Sequence, residues 1–106
     1  MSTLPNTYDF LETIIIEHGM RIQSVIPDKA HDHLTILLTN GHTLKMPLSK
    51  SNKLFNASDQ ALSNYQIIAD RSGIRWPDID EDLSLKGLLK EYFIQKVETE
   101  QELVIA

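Results

Sequence analysis

Apolar and polar positions first alternate cleanly in the segment HLTILLTNGHTLKMPL, which predicts a β-hairpin around Asn40-Gly41. A two-residue turn would mix apolar and polar side chains on both faces. A three-residue loop with Gly41 in the left-handed region instead pairs Leu38 with His42, Ile36 with Leu44 and Leu34 with Met46. Leu34, Ile36, Leu38, Leu44 and Met46 then share one face. A one-residue slip would turn every side chain over, so the clean partition selects the bulged loop. MRIQSVI, residues 20–26, alternates well enough for a preceding strand, ended by Pro27.

Helical spacing governs three other stretches. In residues 6–18 Asn6 can cap a helix, Phe10, Leu11, Ile14 and Ile15 fall on one face, and Gly19 is a natural stop. Three consecutive isoleucines would suit a strand equally well. Residues 48–57 read as a short helix or turn. Ser58 can then cap a helix over residues 59–69 in which Leu62, Tyr65 and Ile68 or Ala69 recur. After a turn at residues 70–73, Ile74-Arg75-Trp76 is a short extended segment. Pro77 keeps Trp76 out of a helix and lets it turn inward. From Ser84 the stripe Leu85, Leu88, Leu89, Tyr92, Phe93 and Val97 predicts a last helix, with Ser84 as N-cap and Leu83 stapling onto Leu88.

The expected architecture is therefore α+β: a small antiparallel sheet of three or more strands, including the 34–46 hairpin, packed on three to four helices. Its core is expected to hold Ile22, Leu34, Ile36, Leu38, Leu44, Leu62, Trp76, Leu85, Leu88 and Leu89. The expected organisation is an N-terminal helical extension over residues 1–19, an α+β domain over 20–97 and a flexible acidic tail over 98–106.

Composition narrows the function. The 106 residues carry 10 Lys plus Arg against 15 Asp plus Glu, a formal charge of −5. Nucleic-acid binding draws most of its affinity from basic side chains on phosphates, so a direct nucleic-acid role is not expected, whereas a basic protein partner is matched in charge. There is no cysteine, which removes disulfides, thiolate catalysis and Cys-ligated metals. The N-terminus lacks the basic start and apolar core of a secretory signal, and no apolar run approaches the ~20 residues that span a bilayer. The expected location is the cytoplasm, with no membrane contact.

The carboxylates of Asp78, Asp80, Glu81 and Asp82 invite a sharper reading. Asp78, Asp80 and Asp82 match the first three ligands of an EF-hand loop, but the obligatory glycine and bidentate glutamate positions hold Leu83 and Leu89. A glycosidase-like acid pair lacks any further aromatic sugar platform beyond Trp76. An acidic loop ahead of a capped helix explains more residues, because acids favour the positive end of the helix dipole. His31 and His33 would share a face if extended, but His42 lies too far along the hairpin to complete a metal site. No nucleophile elbow and no phosphate loop is present. Neither an enzyme nor a cofactor is expected.

Three segments, LTNGHTLKMPL, LFNASDQALSNYQII and above all GIRWPDIDEDLSLKGLL, resemble the bacterial family known as domain of unknown function 2442, over residues of about 20–89. The stretch LSKSNKLF lacks the aromatic and proline residues common there, and the helix at residues 6–18 is an addition. The resemblance implies a compact α+β domain without assigned catalytic residues. Some members precede a helix-turn-helix domain, and many are encoded beside a small basic protein, as an antitoxin is beside its toxin. The expectation is a non-enzymatic, antitoxin-like interaction module for a basic protein. Its candidate partner-binding residues are Asp78, Asp80, Glu81 and Asp82, together with Ile14 and Ile16. The Ile-rich first helix could also support a homo-oligomer. A small-molecule- or metal-sensing domain, using a cleft beside the Trp76 loop, is the alternative.

Overall fold

The computed structural model describes residues 13, 15 and 17–105, and side chains as far as residue 96. Residues 13, 15, 17 and 18 are helical, and the helix stops at Gly19, whose φ of 59° is left-handed. The Met20 amide closes that end on the Ile15 carbonyl at 3.0 Å. Three antiparallel strands follow in the order β1-β2-β3: β1 (Ile22–Asp28), β2 (His33–Leu38) and β3 (Thr43–Met46). Leu34 pairs with Met46 and Ile36 with Leu44, while the Leu38 amide donates to the His42 carbonyl at 2.9 Å. This is the three-residue loop read from the alternation, with Gly41 at φ 90°. The strand expected to end at Pro27 runs through it to Asp28. Being at the sheet edge, β1 can leave the missing Pro27 N–H on its open side.

A 3-10 turn (Leu48–Lys50) and two short helices, α1 (Asn52–Phe55) and α2 (Asp59–Ser63), lead to the second half. Ser51 and Ser58 cap the helices, their hydroxyls accepting from the Leu54 and Ala61 amides at 3.3 and 3.1 Å. The helix expected over residues 59–69 ends at Ser63, because Gln66–Ile68 form strand β4. It pairs with β5 (Gly73–Trp76), which pairs with β6 (Glu81–Ser84), giving a second antiparallel sheet in the order β4-β5-β6. The helix α3 (Leu85–Ile105) completes the fold, packing on β3 and β6. Its backbone continues through residues 98–105, where an acidic tail was expected. Lys86 and Lys90 therefore lie in the first turns of α3, against the dipole, and Lys96 near its middle, and not with the dipole as the shorter helix implied. The α+β class holds, with two sheets instead of one.

Both sheets and α3 bury their apolar faces in a single core. All ten core residues read from the sequence are buried there, and Val25, Leu48, Leu54, Ala57, Ala61 and Ile74 join them. Trp76 is fully buried, and its indole Nε1 donates to the Leu62 carbonyl at 3.0 Å. That bond satisfies the one polar atom of the largest core side chain and ties β5 to the end of α2.

The turn between β4 and β5 joins the halves. Ala69, Asp70 and Arg71 all have positive φ, near 54–64°. Without glycine, such a conformation costs about 1–2 kcal/mol per residue. Hydrogen bonds on both sides offset it. The Ile22 amide donates to the Arg71 carbonyl at 2.8 Å, and the Arg71 guanidinium donates to the Ile22 and Gln23 carbonyls at 2.8 and 2.7 Å. The Leu85 amide donates to the Ser72 carbonyl at 2.8 Å, holding the start of α3. One turn thus fastens the edge of the first sheet and the last helix to the second sheet. Among the described residues no helix is long and apolar enough to cross a membrane.

Trp76→Phe removes the indole donor and leaves unfilled space around the smaller ring. We expect a loss of about 2–3 kcal/mol, measured as a lower urea midpoint with an unchanged slope.

Candidate functional site

The four candidate acids lie at the β5–β6 connection, where Arg75, Asn64 and Ser51 hold their carboxylates. A 3-10 turn (Pro77–Ile79) leaves β5, and Asp80, at φ 52° and ψ 51°, reverses the chain into β6. The segment expected to be an acidic loop is thus mostly ordered secondary structure, because Trp76 pairs with Glu81 and Arg75 with Asp82 across the strands. Arg75 Nη1 donates to Asp82 Oδ1 at 2.9 Å and Nη2 to Asp80 Oδ1 at 3.0 Å. One guanidinium spans two carboxylates, which remain 59% and 82% exposed. Asn64 Nδ2 donates to Asp78 Oδ2 at 3.2 Å. The Ser51 hydroxyl, which caps α1, also donates to Glu81 Oε2 at 2.5 Å. Lys53 Nζ donates to the Asp80 carbonyl at 2.8 Å.

These contacts fix a negatively charged surface on which Asp78, Asp80 and Asp82 stay exposed, while Glu81 is half-buried and its Oε1 also accepts from the Asp82 amide at 3.2 Å. The Arg75 guanidinium lowers the Asp80 pKa by hydrogen bond and charge, with Lys53 adding to it, so Asp80 stays ionised. Ser84, as read from the sequence, caps α3, accepting from the Gly87 amide at 3.0 Å. Ile14 and Ile16, the other candidate contacts, lie outside the described residues, as does most of the helix invoked for a homo-oligomer.

The histidines separate as the hairpin register requires. His31 Nδ1 lies 2.8 Å from Asp28 Oδ2 and its ring stacks on His33 at 6.5 Å between centroids, while His42 stands at the other end of β2. Among the described residues no three His, Asp or Glu side chains are grouped to hold a metal ion.

An apolar cleft of about 180 Å³ opens elsewhere, between the β2–β3 hairpin and α3. Met20, Leu38, Leu44, Leu89, Tyr92 and Phe93 line it, with His42 and Thr43 at the hairpin end. Tyr92 and Phe93 meet edge to face at 6.2 Å and are 37% and 39% exposed. Both were assigned to the core stripe of α3. The adjacent Leu88 and Leu89 are both buried, so the partial exposure of Tyr92 and Phe93 follows from where α3 passes the hairpin and had no sign in their spacing.

This geometry defines a compact α+β domain with a fixed acidic surface and a small apolar cleft. The sequence profile of the family described as "Protein of unknown function (DUF2442)" matches residues 22–93, and the chain belongs to that family. It is similar to a protein of unknown function from Rhodospirillum rubrum ATCC 11170, known from a crystal structure. The two are 30% identical with a TM-score of 0.60, over 68% of this chain and 87% of the other. An uncharacterized protein from Chromobacterium violaceum, solved by NMR, shares the fold with a TM-score of 0.62 at 22% identity, over 85% of each chain. No curated protein matches the sequence.

Because the Asp80 carboxyl is held below its ordinary pKa when folded, the unfolded chain takes up the proton first as pH falls. The contribution is present above the unfolded value and is lost as pH drops through the folded one, from about pH 4 downward. Asp80→Asn should therefore flatten the pH dependence of the unfolding midpoint in that window and leave its slope near pH 7 unchanged.

Proposed function

We propose that this chain is a cytoplasmic, non-enzymatic interaction module that binds a basic protein, in the manner of an antitoxin. The observation that carries the reading is the acidic surface of Asp78, Asp80, Glu81 and Asp82. Arg75, Asn64 and Ser51 hold these carboxylates in place, yet Asp78, Asp80 and Asp82 stay exposed. A basic side chain docking here meets preorganised acceptors, so little side-chain ordering has to be supplied on binding. Four carboxylates against Arg75 and Lys53 leave the surface negative, in keeping with the chain's charge of −5. The same contacts stabilise the β5–β6 connection, and the two roles are compatible.

The apolar cleft supports a second reading, a sensor for a small apolar or aromatic ligand. A cavity of about 150 Å³ accepts a benzene-sized group, and drug-sized ligands need about 300 Å³ or more. The cleft at about 180 Å³ suits only the former.

The test uses the tagged chain as bait in host lysate, beside a folded variant carrying Asp78→Asn, Asp80→Asn, Glu81→Gln and Asp82→Asn. Interaction through the acidic surface predicts one stoichiometric basic protein, bound at least about tenfold more weakly by the variant, equivalent to about 1.4 kcal/mol, and released by salt. Equal capture by the variant would contradict this surface. Capture of nothing, with a rise in melting temperature on adding small aromatic compounds, would favour the sensor.

A further inference from the structure

A second cleft, of about 380 Å³, opens where the 3-10 turn and α1 face β6 and α3. Its volume falls within the range of about 300–1,000 Å³ usual for small-molecule sites. Met46 of β3 and Leu83 of β6 give it an apolar surface. Lys50 and Lys53 stand on the side of the 3-10 turn and α1, and Glu81 and Glu91 on the side of β6 and α3. The cleft is thus lined by cations on one side and carboxylates on the other.

Among the described residues, no ion pair joins either lysine to either glutamate. Two of the four are engaged by the fold. Lys53 Nζ donates to the Asp80 carbonyl at 2.8 Å, and Glu81 accepts from the Ser51 hydroxyl at 2.5 Å. The side chains of Lys50 and Glu91 have no such partner among the described residues. Lys50 is exposed, whereas Glu91 is half-buried. A half-buried carboxylate has given up part of its hydration, and here no described side chain returns it. A simple cation entering the cleft would meet the two lysines, and a simple anion the two glutamates. A molecule that carries both charges escapes both repulsions.

We propose that this cleft binds a free α-amino acid with an apolar side chain. The ligand's ammonium pairs with Glu91, its carboxylate with Lys50, and its side chain lies on Met46 and Leu83. Both pairs are charge-assisted hydrogen bonds, roughly twice as strong as neutral ones. Lys53 and Glu81, already fixed, add charge of the matching sign on each side. Lys50 and Glu91 take no part in the acidic surface or in the apolar cleft beside the hairpin. The site therefore goes beyond both readings above, and its test is independent of theirs.

Titration of L-leucine, L-methionine and L-phenylalanine into the isotope-labelled full chain, followed by amide chemical shifts, tests this. At least one should move the amides of Lys50, Leu83 and Glu91 saturably below about 10 mM. The N-acetyl form of that amino acid lacks the ammonium, and its amide form lacks the carboxylate. Each should bind at least about tenfold more weakly, and both probe the charges without altering the chain. Lys50→Gln and Glu91→Gln should weaken binding by a similar factor while keeping the native spectrum. Glu91→Gln should not lower the melting temperature, because it removes a half-buried charge that has no partner. Absence of a saturable shift with all three amino acids overturns the proposal. So does equal binding of either blocked form, shifts confined to other parts of the chain, or undiminished affinity in the two folded variants.

Discussion

Neither of the two small sheets in this protein can close a hydrophobic core by itself, and the fold follows from that limit. The second sheet has strands of only three or four residues, and Ile74 and Trp76 are its fully buried side chains. Such a sheet is marginal in water unless its apolar face is covered. Here the cover comes from the first sheet, the short helices and the start of α3, all of which meet in one cluster. Trp76 fills the junction, and its bond to the Leu62 carbonyl makes that burial tolerable for the indole N–H. The turn at residues 69–72 performs the complementary task on the outside. Its left-handed backbone is unfavourable locally, but it carries hydrogen bonds to β1 on one side and α3 on the other.

Legibility of the fold in the sequence depended on how many competing patterns a segment could satisfy. The hairpin was unambiguous because only one register puts Leu34, Ile36, Leu38, Leu44 and Met46 on one face, and the structure has that register. The Trp76-Pro77 step and the caps at Ser58 and Ser84 were legible because each rests on local backbone chemistry. Strand β4 was hidden because Leu62, Tyr65 and Ile68 are spaced by three, which fits a helix as well as a loop entering a strand. β6 was hidden because its outward positions, Asp82 and Ser84, are polar and short, so the alternation with the half-buried Glu81 and Leu83 had little contrast. No local signal marked the left-handed run at Ala69, Asp70 and Arg71, which is fixed by partners distant in sequence.

The candidate site divides along the same line. That the four acids belong to the entry of a helix was readable from their position, and the structure refines this into a β-connection braced by Arg75, Asn64 and Ser51. Those braces come from three separate elements and no spacing rule links them. The apolar cleft was not foreseen, since it arises where α3 passes the hairpin and leaves Tyr92 and Phe93 half covered. The bonds that brace the β5–β6 connection leave Asp78, Asp80 and Asp82 exposed, so positions that hold the fold are also presented outward.

The shared core is tested most directly by native-state hydrogen exchange. If the two sheets depend on one core, the slowest amides of β2 and of β5 should exchange through the same global opening, with equal free energies and equal sensitivity to denaturant. A second sheet whose amides exchange at distinctly lower free energy, while β2 stays protected, would show two separable units and contradict the shared core.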